Sequence, residues 1–412
     1  MAALADWLRV AFRGRPGWMN ALMVFSAYMA FIYVPWDFFF KPIASDEEVW
    51  FGVLFTGLAA KFLEPLHWWV YASGAYGFRR MRPWMWPWAS IYTGQVALGM
   101  LVWCALYAPG GRLRWLFGVV SFLAFAALAV ALWRARPSFR PPLGTLRGRY
   151  GPAAPAHAWA LVTGASSGLG REFARSLARE GFSLVLSARR EDRLRELAAE
   201  LEEDFGAATR VVAADLVHPA GVDFLAAAVE GLEISLLINN AGVGYQGRFD
   251  LLDAERLRAM VQLNCVAPVA LAHRFLPGMR ERGRGAMVIT GSVAGRQPLP
   301  LHAVYSATKA FDQLFGEALS AELHAFGVDV LVLEPGSTET EFQAVAGELP
   351  HEGAAPDLVV REALEALQFQ PSAIYGWFNW IRANAAQRLL PRTLTAAAAG
   401  RMMARQTPEG LR

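Results

Sequence analysis

Tyr305 and Lys309 stand four residues apart in a stretch, Ala303–Ala325, whose apolar residues recur at helical period, so the two share one face. A free tyrosine has a pKa of about 10 and does little acid–base work near neutrality. An ammonium beside it stabilises the phenolate and pulls that pKa down, which makes Tyr305 usable as a general acid or base. Ser292, thirteen residues earlier, adds a hydroxyl able to hold a reacting oxygen. Composition supports the pair. Of 39 basic residues only Lys41, Lys61 and Lys309 are lysine. Arginine is a planar, permanently charged fork, and a site that needs a compact point donor resists that exchange.

A second cluster suits a phosphorylated ligand. The strand-like run Ala160–Thr163 passes into Gly164-Ala165-Ser166-Ser167-Gly168-Leu169-Gly170, and a helical stretch follows with Phe173, Ala174 and Leu177 on one face. Glycines so placed permit a tight turn, close approach to a pyrophosphate and close seating of helix on strand, with the helix N-terminus facing the phosphates. After the next strand, Ala188 is followed by Arg189 and Arg190. A site for NAD wants a carboxylate there for the ribose 2′-hydroxyl, whereas arginines suit the 2′-phosphate of NADP.

Further on come Asn239-Asn240-Ala241-Gly242, Asn264, Ser292, the Tyr305-x3-Lys309 pair and Pro335-Gly336. Together with the Gly-rich turn, these motifs resemble the short-chain dehydrogenase/reductase family over roughly residues 157–345. The resemblance implies a catalytic set of Asn264, Ser292, Tyr305 and Lys309, with Asn264 supporting a proton-relay water and Lys309 also holding the nicotinamide ribose. It implies NADPH or NADP as cofactor, held by Gly164, Ser166, Ser167, Gly168, Leu169, Gly170, Arg189, Arg190, Asn240, Ala241, Gly242, Tyr305, Lys309, Pro335 and Gly336. Asp215 would sit by the adenine, and Thr338 and Thr340 would flank the nicotinamide amide. Homodimers or tetramers are usual in such a family.

The elements that must position these residues follow from pattern. Ala160–Thr163, Ser183–Ala188, Val211–Asp215, Leu236–Asn239, Met287–Thr290 and Val328–Leu333 are aliphatic or β-branched runs alternating with helical stretches. That alternation predicts an α/β fold, a doubly wound parallel sheet of Rossmann type.

The first third of the chain is different. Apolar residues make up 55% of the sequence and charged ones 18%, an oily balance that excludes disorder and a disulfide scaffold, as the two cysteines also do. Twelve of the 15 tryptophans precede residue 140. Through Arg140 there are 13 basic and 6 acidic residues, and after it 26 and 30, so the net +3 averages a basic and an acidic part and says nothing for nucleic acid. Four long apolar runs, Trp18–Trp36, Val49–Phe78, Trp84–Ala108 and Trp115–Trp133, predict an α-helical transmembrane domain of about four spans ahead of the sheet. Residues 1–17 read as an interfacial helix and not a cleaved signal. The expected organisation is a membrane domain over 1–136, a Pro/Gly/Arg-rich linker over 137–157, the Rossmann domain over 158–345 and an extension over 346–412.

Lysine and arginine counts of 3, 1, 3, 2 and 5 in successive flanking segments put the N-terminus and everything after Trp133 in the cytoplasm. The scarcity of lysine hints at a GC-rich genome and so a bacterial inner membrane. Within the second run Lys61, Glu64 and His67 stand i, i+3, i+6, with Pro65 between them. The readings are a Lys61–Glu64 pair, a boundary between two shorter helices, or contact with a headgroup or substrate. Glu64-x-x-His67 has the spacing of half a di-metal site but no second half, so no metal is expected. In the extension, Phe378, Ile381, Ala385 and Leu389 fall near one helical face. A substrate lid, a membrane-surface helix and packing against the domain or a subunit fit this equally.

The sequence therefore points to a membrane-bound NADPH-dependent enzyme interconverting a ketone and a secondary alcohol on a lipophilic substrate, of long-chain 3-ketoacyl, ketosphingoid-like or sterol-like type. Two alternatives are an NADPH-sensing membrane protein and a reductase fused to a separate lipid-handling module.

Overall fold

The computed structural model describes residues 17–80, 85–107, 111–135, 139, 145–152, 157–376, 379–384 and 391–412. The interfacial helix expected over residues 1–17 lies almost wholly outside them. The chain forms two compact units, Met1–Leu143 and Gly144–Arg412.

In the first unit the order is α1 (Gly17–Phe40, with a π-helical turn at Met29–Tyr33), β1 (Glu47–Trp50), β2 (Val53–Thr56), α2 (Leu58–Arg80), α3 (Met85–Leu106) and α4 (Gly111–Arg134). At 1.5 Å per residue each helix reaches about 33–36 Å, enough for a bilayer core of about 30 Å. Helices α1, α3 and α4 are also apolar enough to cross a membrane by composition. Phe31, Phe40, Leu113 and Phe117 are large apolar side chains left exposed on these helices. Small residues let the helices close up: a Cβ on Gly118 would lie 2.9 Å from that of Cys104, and the Ser90 hydroxyl donates to Ala129 O at 2.7 Å.

The predicted second span divides. Its start is the hairpin β1–β2, where Phe51 (φ 53°) and Gly52 (φ 83°) make a two-residue turn, and only Leu58–Arg80 is helical. Helix α2 runs through Pro65, so its charges do not mark a boundary between two helices. They are paired instead. Lys61 Nζ donates to Glu64 Oε1 at 3.1 Å and to Asp37 O at 2.6 Å, and it lies 3.1 Å from Asp46 Oδ2. His67 Nδ1 meets Glu48 Oε2 at 2.6 Å and its ring stacks on Trp50 with centroids 4.0 Å apart. Asp37, Glu48 and Glu64 bring oxygens within 4.8 Å of one another, but Lys41, Lys61 and His67 already answer that cluster.

The second unit carries α5 (Leu146–Tyr150), β3 (Trp159–Thr163), α6 (Gly168–Arg179), β4 (Ser183–Ala188), α7 (Glu191–Phe205), β5 (Thr209–Ala213), α8 (Pro219–Ala228), β6 (Ile234–Asn239), α9 (Ala254–Arg282, with a π-helical turn at Gln262–Val266), β7 (Gly285–Thr290), α10 (Ala303–Leu323), β8 (Val328–Glu334), α11 (Phe342–Ala346), α12 (Pro356–Ala366), β9 (Ser372–Ile374) and α13 (Arg392–Gln406). The sheet is parallel throughout, in the order β5-β4-β3-β6-β7-β8-β9. The doubly wound Rossmann sheet is therefore present, with its strand order reversing between β3 and β6. Strands buried on both faces explain the unbroken aliphatic runs. Helix α9 is also long and apolar enough to cross a membrane, yet it packs Leu271, Leu276 and Met279 into the sheet's core.

The compact unit is wider than 158–345. Tyr150, within the expected linker, is buried and its hydroxyl donates to Asp329 Oδ2 at 2.9 Å. At the other end β9 adds a seventh strand, and α12 buries Val359, Val360 and Ala363 against the sheet. A three-residue strand is too short to show alternation in sequence.

Candidate active site

Ligands of such sheets bind beyond the carboxyl ends of the strands where the order reverses, here at Gly164 after β3 and Asn240 after β6. Both glycines that matter most are forced. Gly164 has φ +68°, and a Cβ on it would lie 2.9 Å from Asn240 Nδ2. A Cβ on Gly170 would lie 2.2 Å from Gly164 O. Thr163 holds the two loops together, its Oγ1 accepting from Asn240 N at 3.0 Å and Ala241 N at 3.1 Å. Asn240 Nδ2 returns a bond to Thr163 O, and its Oδ1 accepts from the Thr290 hydroxyl at 3.2 Å.

One cleft of about 460 Å³ gathers the expected residues. It is lined by Gly164, Ser166, Ser167, Gly168, Leu169, Arg189, Arg190, Asp215, Asn240, Ala241, Gly242, Ser292, Tyr305, Lys309, Pro335, Gly336, Thr338 and Thr340. Gly170 and Asn264 are not on its wall. Gly170 seats α6 against the turn, and Asn264, in the π-helical turn of α9, braces Val243. The Asn264 amide is fully engaged: Oδ1 accepts from Val243 N at 3.0 Å, while Nδ2 donates to Val243 O at 2.9 Å and Thr308 Oγ1 at 3.1 Å.

Beyond β4, Arg190 donates to Ser167 Oγ at 2.9 Å and Ser166 Oγ at 3.2 Å. Its other nitrogen meets Glu341 Oε2 at 2.9 Å, and Arg193 meets Glu341 Oε1 at 2.6 Å. This corner therefore already holds an anion between two guanidinium groups. Thr340 packs on Gly168, and Asp215 Oδ1 accepts from Val217 N at 3.1 Å. A close-approach turn, a helix N-terminus and a guanidinium pair fit a phosphorylated dinucleotide.

At the reacting end Tyr305 and Lys309 are buried on α10. Lys309 Nζ donates to Thr290 O at 2.7 Å and Asp312 Oδ2 at 3.0 Å. Burial disfavours its charge, but Asp312 and Tyr305 outweigh that and raise its pKa above the usual 10.5, so it stays an ammonium. Ser292 Oγ accepts from Ala294 N at 3.1 Å and donates to Pro335 O at 3.4 Å. The depressed tyrosine pKa expected from the sequence is not what burial leaves. Desolvation raises it above 10; the Lys309 charge and a bond to Ser292 lower it, but do not reverse the net direction. Tyr305 is thus a phenol at neutral pH, set up to donate a proton.

Three features escaped the sequence. Asp312, one turn beyond Lys309, is a buried partner that the spacing could have shown. Arg296 grips Glu334 bidentately, both bonds 2.5 Å, tying the loop after Ser292 to the end of β8. The third is a wall of the cleft made by Glu348, His351, Arg382, Met402, Met403 and Gln406. Helix α13 is therefore part of the cleft, while Phe378, Ala385 and Leu389 lie outside the described residues.

A family model described as short chain dehydrogenase matches residues 158–349. A very-long-chain 3-oxoacyl-CoA reductase of Anas platyrhynchos is 31% identical over 298 residues, covering 69% of this chain and 94% of that protein. The chain belongs to the short-chain dehydrogenase/reductase family. The human very-long-chain 3-oxoacyl-CoA reductase is 30% identical, over 66% of this chain and 83% of its own length. Among solved structures, a 7beta-hydroxysteroid dehydrogenase superposes with a TM-score of 0.57 at 29% identity, over 62% of this chain and 99% of its own. A short-chain dehydrogenase from Sphingobium yanoikuyae in complex with NADPH gives 0.52 at 35% identity, over 56% and 94%. As a member of this family the chain is an oxidoreductase acting on CH–OH and C=O groups with a nicotinamide cofactor.

Proposed function

We propose that this chain is an integral membrane reductase that uses NADPH to reduce the ketone of a lipophilic substrate, with its catalytic unit in the cytoplasm. The observation that carries the reading is the cleft itself: its wall brings together Tyr305, Ser292 and Lys309, the guanidinium of Arg190, and the apolar Leu299, Phe342, Val345 and Met402. Arg189 and Arg190 favour NADP over NAD, since a 2′-phosphate takes guanidinium partners. When bound, the cofactor supplies the hydride that reduces the carbonyl carbon. Ser292 holds the carbonyl oxygen, Tyr305 gives that oxygen its phenolic proton, and the Lys309 ammonium stabilises the phenolate left behind. A protonated Tyr305 suits reduction over oxidation.

Long-chain 3-oxoacyl compounds are the first substrates to assay, because the relatives are named for them. Those relatives come from birds, mammals and fungi and give no support to the bacterial inner membrane. The chain assembles as a homodimer or tetramer on this reading, which light scattering of the purified protein measures. The test of function is NADPH oxidation by purified full-length protein against long-chain 3-oxoacyl, sterol-like and water-soluble ketones. Turnover restricted to the water-soluble ketones would sink the lipid assignment, and NADPH binding with no carbonyl turned over would favour a sensor.

A further inference from the structure

The substrate end of the cleft holds an arrangement that reduction at Tyr305 does not use. Glu348 lies on the wall of the cleft with its side chain only 9% exposed. Its Oε2 accepts from His351 Nε2 at 2.9 Å, and His351 is held in turn by Ser337 Oγ, 2.8 Å from Nδ1. Glu348 Oε1 takes no hydrogen bond from any described residue and faces His302 Nε2 at 3.8 Å. That nitrogen is buried and has no partner either, in a residue 3% exposed. The two polar atoms face each other unsatisfied, and an oxygen or nitrogen about 2.8 Å from each would bridge them.

The backbone holds both in place. Gly347, with φ +77°, closes α11 in a Schellman turn whose Glu348 N–H donates to Gln343 O at 2.9 Å. The next residue, Leu349, donates to Gln406 O at 2.9 Å, which ties Glu348 to α13. On the opposite side Leu301 adopts φ +65°, a left-handed conformation uncommon for a residue with a side chain. It turns the chain into α10 so that the His302 ring lies against Tyr305, centroids 4.8 Å apart. Whatever the pair recognises is therefore within a few bonds of the reacting carbonyl.

We propose that Glu348 and His302 form a subsite for a hydrogen-bond donor, a hydroxyl or an ammonium, borne next to the ketone. The preferred substrate is then a lipophilic hydroxy- or amino-ketone. A hydroxyl can donate to Glu348 while accepting from His302; an ammonium donates to both and also answers the carboxylate's charge. A plain ketone leaves both atoms unmet, and the thioester carbonyl of a 3-oxoacyl compound offers Glu348 only lone pairs. This inference rests on the reading that a ketone is reduced at Tyr305.

The test uses full-length protein in detergent with NADPH and three long-chain ketones of equal length: one with a neighbouring amino group, one with a neighbouring hydroxyl and one with neither. Either donor-bearing ketone should exceed the plain one about tenfold or more in kcat/KM, mainly through KM. Glu348→Gln should bring that ratio down toward one, and His302→Phe, which keeps a ring against Tyr305, should reduce it as well. Equal kcat/KM for the three ketones with the wild-type protein would overturn the subsite and leave ketone reduction standing. If none is turned over by protein that binds NADPH, shown by cofactor fluorescence, the parent reading fails instead.

Discussion

Two lysines, one in each unit, show how the halves of this molecule differ. An ammonium has three N–H donors. Lys61 in α2 faces three acceptors, Asp37 O, Glu64 Oε1 and Asp46 Oδ2, at 2.6 to 3.1 Å. Lys309 in α10 has two, Thr290 O and Asp312 Oδ2, and among the described residues no third. Its Nζ lies 3.5 Å from where a Cβ on Gly242 would be, at the wall of the cleft. A saturated cation fastens helix to hairpin. One with a donor to spare is open to a ligand.

That contrast can be broken in several ways. The largest effect belongs to the reacting end: Tyr305→Phe should lower turnover by about a thousandfold with NADPH binding kept, since only the proton donor is lost. Lys61→Met should instead leave kcat unchanged and lower thermal stability, by roughly 3 kcal/mol, because Glu64 and Asp46 lose a buried partner. Equal losses of activity from the two variants would erase the distinction between fastening and function.

Acid should act through the α/β unit. Burial lowers the pKa of His302 from its ordinary 6.5 to about 4, so the unfolded chain binds more protons than the folded one between those values. Stability then falls as pH drops from about 6.5 toward 4, by up to ~3 kcal/mol. Thermal unfolding at pH 7 and pH 4.5 measures this, and His302→Phe should shrink the difference. In the cradle, Gly170→Ala places a methyl group 2.6 Å from Asn240 Nδ2 as well as against Gly164 O. Overpacking of about 1–3 kcal/mol should weaken NADPH binding by an order of magnitude in a fluorescence titration. The smallest effect is at the surface. Glu341→Gln frees Arg190 and Arg193 from an exposed ion pair, and NADPH should bind no more than about fivefold tighter.

What could be read from the sequence follows the same division. The glycine-rich part of the cleft is built from short, contiguous motifs, because a turn that lets the main chain approach a phosphate needs glycine at particular steps. The Gly164–Gly170 turn, Asn240 and Arg190 therefore declare themselves locally. Another part of the cleft wall is assembled from His302, Glu348, Arg382 and Met402, each ordinary in its own neighbourhood and meaningful only once α11 and α13 have closed on α10. The six strands expected were those with long aliphatic runs, whereas β9 has three residues. Likewise, Lys61, Glu64 and His67 were visible as charges within an apolar helix. Their partners Asp46 and Glu48 became partners only because a hairpin stands where continuous helix was expected.

One feature of α13 bears on the order of events during synthesis. Met402 and Met403 line the cleft, Gln246 donates to Thr407 Oγ1 at 2.6 Å, and Arg248 N–H donates to Leu411 O at 2.7 Å. All of these contacts use residues translated after the four long N-terminal helices and after every strand of the sheet. A nascent chain that has already wound the nucleotide cradle still lacks the wall around Tyr305. Competence to turn over substrate thus arrives late in biogenesis, after the four long N-terminal helices have been made.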